Sequence, residues 1–185
     1  MFIINCKNYE EIAGEKIIKL AKTAEKISKK YKIPIAIAPP NHLIPLITKF
    51  KILILTQHVD DKKIGSTTGF MIPEILKKSK IDGSIINHSE HRIPEKEIIR
   101  LIKRLKKIKL KTVLCVKNVN EAKKYAKFNP TFIAIEPPEL IGTGRAISTE
   151  RPTLITNAVK AVQNSKNSTK LLCGAGIVSG QDVEK

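Results

Sequence analysis

Nothing in this 185-residue chain approaches eighteen consecutive apolar residues, so no membrane-spanning helix is expected. The opening FIIN is too short for a signal peptide and lacks its basic lead, which points to a soluble, cytoplasmic protein. Cysteine is scarce: Cys6, Cys115 and Cys173 have no metal-type spacing and each sits inside an apolar run, so reduced, buried thiols are expected rather than bridges. Acidic residues are also few, 17 against 34 Lys and Arg, for a net charge of +17. Aromatics make up only 4% of the chain, and none are interleaved through the basic stretches EKIIKLAKTAEKISKK and EKEIIRLIKRLKKIKL to stack bases. The lysines are therefore expected on solvated helix faces, and nucleic acid and membrane are not expected partners. Their field would still draw anionic metabolites inward. With 42% hydrophobic residues and no low-complexity stretch or linker, residues 1–185 are expected to form a single domain.

What the chain does have is alternation. Short apolar runs occur at FIIN (2–5), PIAIA (34–38), ILILTQH (52–58), GSIINH (83–88), TVLCV (112–116), FIAIE (132–136) and KLLCG (170–174). Helical patterns lie between most of them. Ile17, Leu20, Ala24, Ile27 and Tyr31 recur at intervals of three and four, as do Ile98, Ile102 and Leu105, and the short connection 41–51 still admits a helix. Nearly continuous apolar strands alternating with helices imply an α/β fold with a parallel sheet covered by helices. Two architectures fit, an open doubly wound sheet and a closed (β/α) barrel. The open form normally carries a glycine-rich turn after its first strand, where this chain has Asn5-Cys6-Lys7-Asn8-Tyr9. The barrel is therefore favoured, and polar residues at the strand ends, among them Asn5, Lys7, His88 and Glu136, fall where barrel enzymes build their sites.

The run AIEPPELIGTG at 134–144 carries the most chemistry. Glu136 is the first charge after a buried strand, and Pro137 and Pro138 forbid both further strand and immediate helix. Gly142 and Gly144 then offer unobstructed backbone N–H groups or a flexible joint. Such a segment suits a catalytic base beside a closing loop, and on its own it suits a plain hinge equally well. Strand alternation sets Asn5 and Lys7 on one side and Cys6 on the other, so that amide and ammonium can face a common centre, although a lysine drawn from this composition more often sits on the surface. His88 follows a buried run and precedes Ser89 and Glu90, which bear on its orientation or on Lys7, whereas a lone histidine is more often structural. His42, His58 and His91 lack such a setting.

Taken in order, INCKNY, INHSEHR, AIEPPELIGTG and LLCGAGI resemble the signature segments of triose-phosphate isomerases, and the PPE form of the sixth loop is similar to that of the shorter, archaeal-type members. The resemblance implies a TIM (β/α)8-type barrel that interconverts dihydroxyacetone phosphate and D-glyceraldehyde 3-phosphate through an enediolate, with no metal or organic cofactor. It implies Glu136 as the base, neutral His88 as the electrophile, Lys7 stabilising negative charge and Asn5 holding substrate, with Glu90 in support. Residues 137–147 would be a lid that presents backbone near Ile141 and Gly142 to the substrate phosphate, joined by Gly176. GSTTG at 65–69 resembles the family loop that reaches a neighbouring subunit, which implies a homodimer or homotetramer.

One departure stands at the end, where VSGQDVEK begins a helix and the family pattern continues through an eighth strand and its closing helix. On that reading the barrel lacks its last strand, together with a loop that supplies donors to the phosphate. The alternatives are a catalytically impaired isomerase-like protein, a basic module binding RNA or another anion, and another phosphate-binding barrel with a different sugar substrate.

Overall fold

The computed structural model describes residues 1–184, which divide into two compact units, one of Met1–Ile85 and one of the described residues from Ile86 onward. In the first unit β1 (Phe2–Asn5), β2 (Ile35–Ala38), β3 (Leu53–Thr56) and β4 (Gly83–Ile86, of which the last residue falls in the second unit) pair in sequence order, each parallel to the next, with Phe2 opposite Ile35 and Leu55 opposite Gly83. All four residues of β2 are buried, as expected of a strand covered on both faces. The connections carry α1 (Lys16–Tyr31), α2 (Ile44–Ile47) and α3 (Pro73–Lys78), and α3 begins on a proline whose missing N–H costs nothing in the first turn.

The apolar stripe of α1 is shorter than its spacing predicts. Ile17, Ala21 and Ala24 are buried, whereas Ile27 and Tyr31 are 42% and 58% exposed. Length explains the difference: sixteen helical residues span roughly 24 Å and a four-residue strand roughly 13 Å, so the last turns overhang the sheet.

The second unit repeats the plan with β5 (Lys111–Val116), β6 (Phe132–Ile135) and β7 (Lys170–Cys173), and β6 is bonded in parallel to both neighbours. Helix α4 (Glu95–Lys107) precedes β5 and buries Ile98, Leu101, Ile102 and Leu105. This is the stripe its sequence period specifies, and each such side chain contributes roughly 1.5–3 kcal/mol by leaving water. Glutamates in its first turn and cations in its last complement the helix dipole. Helix α5 (Val119–Ala126) is capped by Asn118, whose side chain accepts the Glu121 N–H at 2.9 Å. Helices α6 (Ile147–Glu150) and α7 (Pro152–Gln163) lead into β7, and α8 (Gly180–Glu184) follows it.

Cys6 and Cys115 are buried thiols, and desolvation pushes Cys6 up to about 11. Cys173 departs from the expectation and is exposed. Among the described residues β6 is the one strand paired with β7, so fewer neighbours cover it. No helix among the described residues is long and apolar enough to cross a membrane.

Candidate active site

The chemistry of the second unit gathers beyond the ends of its strands. Glu136 is the first residue past β6, and its N–H still donates to Val116 O at 2.9 Å. The ladder therefore holds the backbone while the side chain departs. Only 15% of that side chain is exposed, and Oε2 lies 3.5 Å from Nε2 of His88, itself 9% exposed. Gly174, just past β7, permits this placement because a Cβ there would stand 3.3 Å from Glu136 Oε1.

His88 is aimed by the residue before it. Asn87 adopts φ +60°, a left-handed conformation that asparagine tolerates better than most residues. Its side chain donates to Cys115 O at 3.0 Å and accepts the Ile93 N–H at 3.2 Å, which fixes the turn after β4. Two groups approach His88 Nδ1, the Glu90 N–H at 3.2 Å and the Glu90 carboxylate at 3.4 Å. The backbone donor has no freedom to leave, whereas that carboxylate is 54% exposed and well solvated. Accepting the N–H places the lone pair of a neutral ring on Nδ1, which leaves the proton on Nε2, the nitrogen facing Glu136.

A cavity of about 230 Å³ opens beside Glu136, which lines it with Ser89, Arg92, Cys115, Val116, Lys117 and Pro138. Burial, followed by the charge of Glu136 and a hydrogen bond to it, pushes the Cys115 thiol well above its usual range. The thiol therefore stays protonated and serves as a donor to that carboxylate.

Residues 137–147 fold as a compact loop. Pro138–Leu140 make one tight 3-10 turn, Thr143 Oγ1 donates to Leu140 O at 2.8 Å and accepts the Arg145 N–H at 3.1 Å, and Gly142 and Gly144 take φ of +73° and +71°. Ile141 is half-buried, and Gly142 is exposed with open space where a Cβ would stand. The downstream end is tied to the segment after β7: Ile147 N–H donates to Ala175 O at 3.0 Å, and Ser148 Oγ to Asp182 O at 3.1 Å. Gly176, at φ +67°, passes so close that a Cβ would lie 2.0 Å from Arg145 O. Arg145 pairs with Glu150 at 2.6 Å, and Arg151 reaches Glu139 at 3.5 Å.

In the first unit, Asn5 closes β1 and its Oδ1 accepts the Lys7 N–H at 3.0 Å. Lys7 lies past the strand at φ +48°, so the alternation invoked to set it beside Asn5 stops one residue early. A local turn does that work instead, pinned by Gln57, which donates to Lys7 O at 2.8 Å and Ala38 O at 3.1 Å. The loop containing GSTTG is stapled at its base, where Asp60 and Met71 exchange two hydrogen bonds of 2.7 and 2.8 Å. Ile64 and Phe70 on it are 57% and 43% exposed.

The structure thus brings His88, Glu90 and Glu136 together, and links the loop containing Ile141 and Gly142 to Gly176. Sequence reasoning missed Cys115 as a partner of Glu136, and missed Arg92, Lys117 and Glu121. The spacing Asn118-x-x-Glu121, a helix-start signature, was the one signal available for the last of these. Among the described residues, no three His, Cys, Asp or Glu side chains are grouped to hold a metal ion.

Comparison with known proteins converges on one family. The family model described as Triosephosphate isomerase matches residues 1–185. A triosephosphate isomerase of Cenarchaeum symbiosum is 49% identical over 185 residues, covering 100% of this chain and 83% of that protein. Those of Saccharolobus solfataricus and Methanocaldococcus jannaschii are 40% and 38% identical, again across 100% of this chain and 82% and 84% of theirs.

Proposed function

The chain belongs to the triosephosphate isomerase family, and from that premise we propose that it interconverts dihydroxyacetone phosphate and D-glyceraldehyde 3-phosphate by moving a proton between adjacent carbons. Its fold class follows as α/β of (β/α)-barrel type, with seven parallel-paired strands among the described residues. Because one family model spans both units, residues 1–185 are taken to serve as one domain of that family. No observation favours an impaired form, a basic RNA-binding module or a different sugar.

The observation that carries the reading is the opposition of a carboxylate and an imidazole N–H at 3.5 Å, both largely shielded from water. Abstracting a proton beside a carbonyl needs a base on carbon and a donor at the oxygen where charge develops. Glu136 takes the proton, and His88 Nε2–H donates to the carbonyl oxygen and then to the enediolate. Lys7 supplies positive charge, and Asn5 helps to hold the substrate. Backbone near Ile141, Gly142 and Gly176 receives the phosphate, and closure of residues 137–147 replaces water with fixed dipoles. Glu90 keeps His88 in the required tautomer through its own N–H. The reaction moves one proton between adjacent carbons and one between their oxygens, and no electrons leave the substrate, so the scheme calls on no cofactor.

The exposed Ile64 and Phe70 on the stapled loop support homodimer or homotetramer assembly through that loop. The three free cysteines suit a reducing cytoplasm. A coupled assay for triose-phosphate interconversion tests the function. Glu136→Gln, which keeps shape and removes basicity, is expected to cut turnover by about 10² to 10⁴-fold with the fold intact. Unchanged turnover in that variant would remove Glu136 from the role of base.

A further inference from the structure

We propose that Glu121 is a positioning residue for the base: its carboxylate holds the Arg92 guanidinium at the wall of the Glu136 cavity, and this ion pair sets the charge against which Glu136 binds and releases its proton. The proposal rests on Glu136 being the base, as argued above.

Glu121 sits at the start of α5, fixed three times over. Its N–H is capped by Asn118 at 2.9 Å, and one carboxylate oxygen accepts from Arg92 Nη2 at 2.6 Å. The other oxygen accepts the Lys117 N–H at 3.0 Å. One side chain thus joins the turn after β4, which carries His88, to the turn after β5. Arg92 and Lys117, the two residues it holds, line the same cavity as Glu136. The Glu121 side chain is 17% exposed and that of Arg92 37%, so the carboxylate is largely shielded while the guanidinium stays open to solvent.

The field of Arg92 reaches the site. Its charge acts on the Cys115 thiol, the group that donates to Glu136 and is itself influenced by the Glu136 charge. Among the described residues of this unit, His88 from the turn after β4 and Cys115 from β5 face the base, Arg92 and Lys117 line the same cavity, and Glu90 lies behind His88. Gly174, past β7, adds no side chain. Arg92 stabilises the ionised form of Glu136 and Glu121 offsets that effect, so their balance sets the pH at which the base becomes active.

The sign of the effect separates this role from a scaffold role. Removing the negative charge with Glu121→Gln leaves Arg92 uncompensated, favours the carboxylate and moves the acid limb of the kcat/KM profile to lower pH. Removing the positive charge with Arg92→Gln moves it to higher pH. The double variant returns close to the parent. Each single shift is expected to be about half a pH unit, as for one charge acting through partly solvated protein. A purely structural pair would give losses of activity with the limb unmoved, or moved the same way in both variants, and either result overturns the proposal.

A second measurement does not depend on turnover: a 13C NMR titration of the labelled Glu136 carboxyl in parent, single and double variants, with backbone spectra confirming the fold. Opposed shifts there without triose-phosphate turnover in the parent would uphold the electrostatic pair and sink the proposed function. Turnover lost in Glu136→Gln but with titrations unmoved in Glu121→Gln and Arg92→Gln would do the reverse.

Discussion

The two units use the same strand-then-helix plan and spend the polar groups at their strand ends differently. In the first, those groups bond the chain itself: Asn5 accepts from the Lys7 backbone, Gln57 donates to two carbonyls, and Asp60 closes the loop that follows it. In the second, the backbone is satisfied by other means. Glu136 N–H continues the ladder and Asn87 absorbs the turn, which leaves a carboxylate and an imidazole facing each other across 3.5 Å. The contrast shows that a reactive pair requires its own backbone to be anchored independently, so that both side chains can be turned toward a common centre.

Three substitutions break or sharpen that comparison. The largest effect is expected for His88→Gln, which removes the oriented Nε2 donor of the second unit. Turnover should fall by about 10² to 10³-fold with the unfolding midpoint nearly unchanged. An active variant would mean that the 3.5 Å opposition is not the reacting pair. Next is Gly176→Ala, which forces a methyl against the Arg145 backbone at a left-handed position. A loss of about 2 kcal/mol or more in urea unfolding is expected, with faster proteolysis within 142–147. Resistance equal to the parent would show that the loop is not held at this contact. The smallest effect belongs to the first unit, where the fully buried Thr56 hydroxyl has no hydrogen-bond partner among the described residues. Thr56→Val should therefore stabilise by about 1 kcal/mol, read as a raised urea midpoint. Destabilisation would show that this hydroxyl is in use.

How much of this was legible in the sequence depended on whether the cause was periodic. The stripe of α4 and the buried run of β6 follow from local spacing, and both appear where the pattern sets them. The stripe of α1 was overread because periodicity carries no information about where the sheet beneath a helix ends. Strand alternation was carried too far at Lys7 for a related reason: it holds only while pairing continues, and the switch to φ +48° leaves no compositional mark in a lysine. Glu136 and His88 were visible as polar residues closing apolar runs. Cys115 as a partner of Glu136, and Glu121 as a brace for Arg92, were not visible, because each contact joins segments about twenty to thirty residues apart that meet only in the folded chain, the first of them through the pairing of β5 with β6.

The near-collision at Gly176 bears on how the loop over the site can move. Because the backbone of Arg145 rests where a side chain would otherwise stand, the downstream end of that loop behaves as a clamped beam. The span with most room to swing is the short arc around Gly142, where a Cβ would meet nothing, and motion beyond it must carry the segment after β7 along. Movement of that arc and rearrangement of the 174–182 segment are thereby geared to each other.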